Sequence, residues 1–494
     1  MNVDRLALLA IALGVASWLA APAVMDIGYD GNTYVATGHG WARTHELVLE
    51  WGDVLTFHPT PPGHSHHFPP AYPFYLGLVF TAFGYGYAQA KLASVAASLL
   101  ALGVVYLTSR DLYGPRRALL VAATFALSPW ILWITGMGFS ESLATLFFVL
   151  TMWAIVRSLT DERFIVLAGL FAGLAYLSRA SMGAFFVIAG LGGLTWRLYH
   201  RGWRATLTSP WYGAAILVFG AILAAWAWRN VHLFGWPNWE TSPGSRGIPR
   251  WIWTHKAEFV GGILVRLPLL TLPFLPALVL LWPEAKRSLA RIRDEHTSGL
   301  WLSVFLIWVL GLLFAAAYFS MGPSRHEALR LDNARYVLVG VVPLTWALVR
   351  EVDLDSRRFR RAFASLLGVL VVGMLLVATF PAQYLPSQAA RALDPHLQEG
   401  DVIAVSGAGK YPFYGYLSEP TKVQVYTLGN AGGDERPEFI FGFWPQERPG
   451  YVLLVEARQS HWWWIANDEY LGVWAREDVA RDRGIELAPL RAGW

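Results

Sequence analysis

The chain has 494 residues, of which 55% are hydrophobic, 15% are charged and none is cysteine, and its formal net charge is +4 at pH 7. Soluble domains carry about 25% charged residues, so this composition excludes an ordinary soluble protein and indicates a polytopic protein in contact with membrane lipids. The lack of cysteine excludes a Cys₄-type zinc or iron–sulfur site, and the small net charge, scattered among loops, argues for no nucleic-acid partner.

The first apolar run extends from Leu6 to Met25, which is about 20 residues and long enough to cross a membrane. Arg5 precedes the run, and an Ala-Pro-Ala sequence near its end is similar to a signal-peptide cleavage site. A cleaved signal peptide is therefore the alternative. We favour an uncleaved first helix because the run is as long as a full span.

Eleven apolar segments of about 16–23 residues are predicted to span the membrane, which makes the chain a mainly α-helical bundle. The predicted spans are 6–24, 88–108, 118–136, 142–157, 164–180, 183–198, 211–230, 260–282, 299–319, 334–349 and 362–380. A further apolar segment at 71–84 is only about 14 residues long. We predict that it forms an interfacial or re-entrant helix.

The distribution of basic residues predicts the orientation of these spans. If Arg5 is cytoplasmic and 71–84 does not cross, the dense basic loops, such as 286–293 and 357–361, all lie on the cytoplasmic side. This predicts a multi-pass plasma-membrane protein with a cytoplasmic N-terminus and an extracytoplasmic C-terminal domain. The longest outer segment before that domain is the first loop, residues 25–87.

Beyond residue 380 the pattern changes to short apolar segments typical of buried strands, separated by Gly, Pro and Asp turns. They are "DVIAVSG" (401–407), "KVQVYTL" (422–428) and "YVLLVEA" (451–457). We therefore predict a transmembrane domain over 1–384 and a small extracytoplasmic α/β domain over 385–494. The glycine-containing "SGAGKYP" (406–412) lacks the spacing of a P-loop and is interpreted as a turn.

The first outer loop begins with "MDIGYDGNTYVATGHGWAR", which places Asp26 and Asp30 directly after the first span. Tyr34 and Gly38 follow Asp30 at helical spacing. Asp30 is therefore expected at the start of a helix, where the helix N-terminus favours a carboxylate. The alternative is that Asp30 serves only as a cap of this helix.

Several stretches resemble the GT-C fold glycosyltransferases, a superfamily that includes the protein O-mannosyltransferases and the lipid A aminoarabinose transferases. "YDGNTYVATGHGW" resembles the Asp-x-x-x-Tyr element that opens the first outer loop of these enzymes, and "HFPPAYPFYLGLVFTAFG" resembles the element that closes it. Other family-like stretches follow in the same order, namely "SPWILWITGMGFSESL", "LAYLSRASMGAF", "AWRNVHLFGWPNWETSPG" and "NARYVLVGVVPL". The resemblance covers roughly residues 6–380.

The resemblance implies an inverting transfer of a sugar, on the outer membrane face, from a polyprenyl-phosphate-linked donor to a protein, lipid or glycan acceptor. Such a transfer needs one base to take a proton from the acceptor. The leaving phosphate is already stable, so the second carboxylate required in glycoside hydrolysis is not needed. Asp30 matches the family's catalytic aspartate, and Asp26 is the alternative base.

The resemblance also indicates substrate-binding residues. The family often has an acidic residue and then a lysine before the prolines of the first loop, and here His66 or His67 and Phe68 replace them. Because a leaving phosphate calls for cations or hydrogen-bond donors, the two histidines become candidates. Further candidates are Tyr34 of the Asp-x-x-x-Tyr element, Glu141 at an outer turn, Arg179 at an outer helix end, Arg266 within a predicted span and Arg335 at an outer helix start.

Each of these candidates has a structural alternative. Glu141 could complement the dipole of the following helix, and Arg179 could anchor lipid headgroups. An arginine within a span is usually functional or paired, and the alternative for Arg266 and Arg335 is snorkelling to the outer headgroups.

A histidine-rich group in the first loop raises the question of a metal site. His and carboxylate side chains suit divalent zinc or manganese, but His-x-His-His matches no established ligand spacing, and adjacent side chains in extended chain point apart. Hydrogen-bonding surface groups and direct substrate contact are the alternatives, so no cofactor is assigned and a divalent metal stays open. The group consists of Asp53, His58, His64, His66 and His67.

Two other classes of protein were weighed against an enzyme. A membrane transporter or a lipid-linked oligosaccharide flippase would be expected to show inverted repeats or charged residues at mid-membrane, and neither is clear in the sequence. A structural or sensor protein would leave the acidic and aromatic first loop without a role. The pattern therefore favours a polyprenyl-phosphate-sugar-dependent glycosyltransferase.

Overall fold

The structure is a computed structural model, and it describes fifteen parts of the chain. They are 3–24, 29–48, 68–158, 160–179, 208–237, 282–283, 342, 345–346, 349–350, 352–379, 390–406, 424–427, 436–442, 448–459 and 469–486. The chain divides into two compact units. The first comprises Met1–Ala21, Ser94–Gly136 and Ser140–Thr379, and the second comprises Pro22–Ala93, Met137–Phe139 and Phe380–Trp494.

Helices dominate the described residues, and strands occur only near the C-terminus. The helices are α1 (Val3–Val24), α2 (Tyr29–Thr44), α3 (Ala71–Phe83), α4 (Tyr87–Tyr113), α5 (Pro115–Ala126), α6 (Pro129–Gly136), α7 (Glu141–Ser158), α8 (Phe164–Ser178), α9 (Pro210–Phe234), α10 (Arg357–Thr379) and α11 (Glu477–Arg483). The strands are β1 (Val402–Ser406), β2 (Gln424–Thr427), β3 (Phe439–Gly442), β4 (Tyr451–Gln459) and β5 (Glu469–Arg476).

Four of the described helices, α1, α4, α7 and α9, are long and apolar enough to cross a membrane, and the bent pair α5 and α6 makes a fifth candidate span. Many large apolar side chains face outward; Trp228 and Leu217 on α9, for example, are 72% and 73% exposed. Exposed apolar helix surface of this kind is expected where lipid is the solvent. The chain is an integral membrane protein.

The predicted spans can be compared with these helices. The predictions at 6–24, 88–108, 142–157, 164–180, 211–230 and 362–380 coincide with α1, α4, α7, α8, α9 and α10. Segment 71–84 forms the 13-residue α3. The predictions at 183–198, 260–282, 299–319 and 334–349 lie wholly or largely outside the described residues. The total of eleven spans therefore stays a prediction.

The predicted span over 118–136 does not correspond to one straight helix. The chain forms two helices there, α5 and α6, which are bent by 55° at the break. The physical reason is Pro129, which has no N–H to donate and whose ring disfavours helical geometry at Ser128. The hydropathy of the segment is continuous across the break, which is why an apolar run alone predicted a single span.

Close backbone approaches hold the helices of the first unit together. Trp18 of α1 packs edge-on against Phe125 of α5, with 6.1 Å between ring centroids, and Gly14 lies directly against the backbone of Ala126. Inside this packing, two buried hydroxyls satisfy each other within the protein, where lipid would offer no partner. The Ser98 and Thr135 hydroxyls are 2.8 Å apart.

One end of the first unit carries a set of ion pairs. Arg116 at the start of α5 reaches Asp4 of α1 at 3.3 Å and Asp355, just before α10, at 3.1 Å. Its hydrogen bond and charge hold the pKa of the Asp355 carboxyl below its ordinary value of 3.8. Arg117 donates to the carbonyl of Val349 at 2.8 Å. These contacts fasten three chain segments together at the end that the basic-residue pattern predicts to be cytoplasmic.

The second unit contains a mixed five-stranded sheet in the order β2-β1-β3-β5-β4. β1 pairs in parallel with β2 and β3, and β5 pairs antiparallel with β3 and β4. Ala404, Ile440 and Trp474 form its buried core. The predicted strands at 401–407, 422–428 and 451–457 coincide with β1, β2 and β4, whereas β3 and β5 were missed. The domain boundary at 384/385 stays a prediction.

The contact at Gly14 yields a stability prediction. A methyl group at this position would lie 2.6 Å from the carbonyl carbon of Ala126 and 2.9 Å from its Cβ, so α1 and α5 would have to separate. Gly14→Ala is expected to lower the free energy of unfolding by about 1–3 kcal/mol, measured by thermal unfolding in detergent. The matched control is Gly103→Ala in α4, where a Cβ meets nothing within 4 Å and alanine should stabilise the helix by up to about 1 kcal/mol. Equal behaviour of the two variants would contradict the close approach.

Candidate active site

The loop that carries the predicted base folds as a helix at its beginning. α1 ends at Val24 and α2 begins at Tyr29, so Asp30 lies in the first turn of α2. The helix expected from the spacing of Asp30, Tyr34 and Gly38 is confirmed. A carboxylate in the first turn is favoured by the helix dipole. Asp26 lies outside the described residues.

α2 contains three glycines and is held by packing more than by intrinsic helix propensity. Gly38 lies against α3, where an added Cβ would be 2.9 Å from the Cβ of Leu76 and 3.0 Å from the carbonyl oxygen of Pro73. From the other side, a Cβ at Gly77 would meet the Trp41 ring. The start of α2, and Asp30 with it, is therefore positioned by the closely packed α2–α3 pair.

Tyr34 lies in the aromatic core of this pair. Its side chain is 1% exposed, and its ring is 4.7 Å from that of Phe68 and 5.1 Å from that of Tyr72, centroid to centroid. The structure thus gives Tyr34 a packing role one turn after Asp30. A contact between Tyr34 and substrate stays a prediction.

A buried ion pair occupies the junction of α7 and α8. Glu141, the first residue of α7, is fully buried, and its Oε2 lies 3.0 Å from Nη1 of Arg179, directly after α8. Ser140 lies between them, with its hydroxyl 3.4 Å from each of those two atoms. The Arg179 side chain is only 12% exposed. The structure therefore brings together two residues that the sequence predicted separately.

Antiparallel packing of α7 and α8 explains this pairing. The ring of Phe147 stacks on that of Phe171 with 6.4 Å between centroids, and the ring of Trp153 meets that of Phe164 edge-on at 5.6 Å. Residue numbers therefore run in opposite directions along the two helices. The start of α7 and the end of α8 consequently lie at the same end of the hairpin. An anion at a helix N-terminus and a cation at a helix C-terminus are each favoured by the helix dipole.

Lys91 of α4 was not predicted as a site residue. Its side chain is buried, and its ammonium donates to the carbonyl of Pro22 at 2.6 Å. Because α1 ends two residues later, the carbonyl of Pro22 has lost its place in the helical ladder and needs such a donor. The sequence signal was a lone lysine in the first third of an apolar segment, which usually has a functional or pairing role.

The remaining predicted residues cannot be located. His66, His67, Arg266 and Arg335 lie outside the described residues, as do Asp53, His58 and His64 of the histidine-rich group. Within the parts of the chain that the structure describes, no three His, Cys, Asp or Glu side chains are grouped so that they could hold a metal ion. Whether a divalent metal binds the histidine-rich group therefore stays open.

Comparison with protein families gives one match within the chain. Residues 67–228 match the model of the family described as dolichyl-phosphate-mannose-protein mannosyltransferase. The matched part begins just before α3 and extends into α9, so it includes Glu141 and Arg179 but not Asp30. No match was found among curated proteins.

Solved structures show the likeness over most of the chain. ArnT from Cupriavidus metallidurans bound to undecaprenyl phosphate has a TM-score of 0.59 at 14% identity, with 96% of this chain and 98% of that chain covered. Apo ArnT from the same organism has a TM-score of 0.57 at 14% identity, with 95% of this chain and 97% of that chain covered. The Archaeoglobus fulgidus oligosaccharyltransferase complex with Zn and sulfate gives 0.54 at 13% identity, covering 88% and 68%.

At these identities the structural matches establish the fold, and the matched family model points to the same group of enzymes. The resemblance found in the sequence is confirmed: this chain has the membrane-embedded GT-C fold of the mannosyltransferase and ArnT-type glycosyltransferases.

Proposed function

We propose that the protein is an inverting glycosyltransferase that moves a sugar from a polyprenyl-phosphate-linked donor to an acceptor at the extracytoplasmic membrane face. The observation that carries the proposal is the likeness over 96% of the chain to an ArnT structure with bound undecaprenyl phosphate. The matched family model, which is described by a dolichyl-phosphate-linked sugar donor, supports it. A hexose and a pentose are both retained as the transferred sugar.

The proposed chemistry assigns the base to Asp30. An ionised carboxylate takes the proton from the acceptor hydroxyl or amine as that atom forms a bond to the anomeric carbon. The bond between the anomeric carbon and the phosphate oxygen breaks, and its electron pair leaves with the polyprenyl phosphate. Supporting this assignment, Asp30 lies in the first turn of α2, a position at which acidic residues are favoured by the helix dipole. Asp26 is the alternative base.

The Glu141–Arg179 pair is the proposed substrate-binding element among the described residues. Its carboxylate can accept hydrogen bonds from sugar hydroxyls, and the guanidinium pairs with that fully buried carboxylate at 3.0 Å. Arginine also has further donors in a planar fork that suits phosphate. The proposed phosphate and acceptor contacts are completed by His66, His67, Arg266 and Arg335. Tyr34 is the proposed substrate contact beside the base.

The test of Asp30 uses purified protein in lipid nanodiscs with undecaprenyl-phosphate-linked hexose or pentose and a membrane extract as the source of acceptors. Release of free undecaprenyl phosphate measures transfer. Asp30→Asn is expected to lower the rate by about 10²–10⁴-fold because the acceptor loses its base, whereas the control Asp355→Asn, at an exposed side chain, should match wild type. Parallel reactions with EDTA or added Mn²⁺ examine metal dependence.

Three outcomes would change the proposal. Undiminished transfer by Asp30→Asn, with loss in Asp26→Asn, would move the base to Asp26. Undiminished transfer by both variants would remove the carboxylate base from the proposal. Failure of the wild type to consume any donor, while labelled lipid crosses the bilayer of reconstituted vesicles, would favour a lipid-linked oligosaccharide flippase or another transporter.

The buried ion pair gives a second prediction. Arg179→Met removes the cation 3.0 Å from a fully buried carboxylate, so the free energy of unfolding should fall by about 3 kcal/mol and transfer should fall with it. Arg179→Lys keeps the positive charge, so its losses of unfolding free energy and of transfer rate should be smaller. The matched control is Arg157→Met at the other end of α7, whose side chain is 42% exposed and pairs with Asp111 at 2.8 Å; it should cost at most about 1 kcal/mol. Thermal unfolding of Arg179→Met equal to that of Arg157→Met would contradict the role of the buried pair.

A further inference from the structure

A hydrogen bond connects α3 to the turn between α6 and α7. The Tyr72 hydroxyl, near the start of α3, donates to the carbonyl of Gly138 at 2.9 Å across 66 residues of chain. Tyr72 is fully buried. A buried backbone carbonyl in a turn has no helical partner and therefore depends on such a donor.

The turn that receives this bond joins a short helix to the start of a long one. It follows α6, which is only eight residues long, and Gly138 adopts a φ of +68°, a left-handed conformation that suits glycine. Glu141, the buried carboxylate of the proposed site, begins α7 three residues after Gly138. The position of the Gly138 backbone therefore bears directly on where α7 and its first side chain begin.

Packing fixes the direction of the Tyr72 hydroxyl. The Tyr72 ring meets the Tyr34 ring edge-on, with an interplanar angle of 88°, and the close approach of Gly38 to Leu76 locks α2 and α3 together one turn further along. A phenol ring held in this way has one rotatable hydroxyl left to aim. The bond to Gly138 is thus made by a preorganised donor.

We infer that Tyr72 is a positioning residue of the transferase. Through the carbonyl of Gly138 it fixes the turn at Met137–Phe139, from which the chain continues into Ser140 and Glu141 at the start of α7. The catalytic significance of this placement rests on the proposed function. The hydrogen bond and its effect on the turn do not depend on the proposed function.

Tyr75, on the same helix, offers a matched control. Its hydroxyl also donates to a backbone carbonyl, that of Ala93, at 3.0 Å. Tyr72→Phe and Tyr75→Phe therefore each delete one tyrosine–carbonyl hydrogen bond from α3 and leave the ring in place. Only the Tyr72 bond ends in the turn before Glu141.

The experiment compares kcat and KM of wild type, Tyr72→Phe and Tyr75→Phe in the nanodisc assay, each with and without Glu141→Gln. Tyr72→Phe should lower kcat/KM on the order of ten-fold, the value of one hydrogen bond, and Tyr75→Phe should stay within about two-fold of wild type. If Tyr72 acts through Glu141, it should have no further effect in the Glu141→Gln background. Equal losses in the two tyrosine variants, or a full additional loss in the Glu141→Gln background, would overturn the inference.

Hydrogen exchange of the peptide covering residues 137–145 is measured on the same proteins and does not require turnover. Faster exchange in Tyr72→Phe than in wild type and Tyr75→Phe would support the positioning role, and unchanged exchange would overturn it. A wild type that consumes no donor defeats the proposed function alone. The exchange result then decides whether Tyr72 holds the turn.

Discussion

The constraint on which this structure depends is that hydrocarbon offers no hydrogen-bonding partner, so every buried polar group must be satisfied by the protein. At several places the described helices meet it with specific side chains. The indole of Trp346 donates to Ser109 at 2.8 Å, Lys91 donates to a carbonyl that the end of α1 leaves behind, and Arg179 accompanies a fully buried Glu141. Because each such bond is needed locally, each also fixes a chain segment relative to another, and the positions of the proposed site residues follow from them.

Much of the helical layout follows from hydropathy and length, because lipid imposes both on a spanning helix. Six predicted spans coincide with helices for this reason. The bend between α5 and α6 escaped prediction because it is caused by the local geometry of one proline and leaves the hydropathy unchanged. In the sheet, β3 ends at Gly442 and β5 contains Gly472, and glycine lowers strand propensity.

The candidate site was predictable only in part. The helical spacing after Asp30 was readable because it is local, and Glu141 and Arg179 were each marked by the family resemblance. Their pairing was not, since it depends on how α7 packs against α8 and joins residues 38 positions apart. The bond from Tyr72 to Gly138 spans 66 residues and leaves no signature in a single sequence, because a tyrosine beside prolines in an apolar segment fits an aromatic anchor equally well.

The break between α5 and α6 has a mechanical consequence. In a continuous helix, the direction of the axis at one end determines the direction at the other. Here the ladder of backbone hydrogen bonds is interrupted at Pro129. The eight residues of α6, about 12 Å of helix, therefore form a separate helix, bent by 55° relative to α5. The base of α5 is clamped by Arg116 and Arg117. The direction of α6 is therefore set by its own contacts, such as the Ser98–Thr135 hydroxyl pair, and not by continuation of the helix that Arg116 and Arg117 fasten.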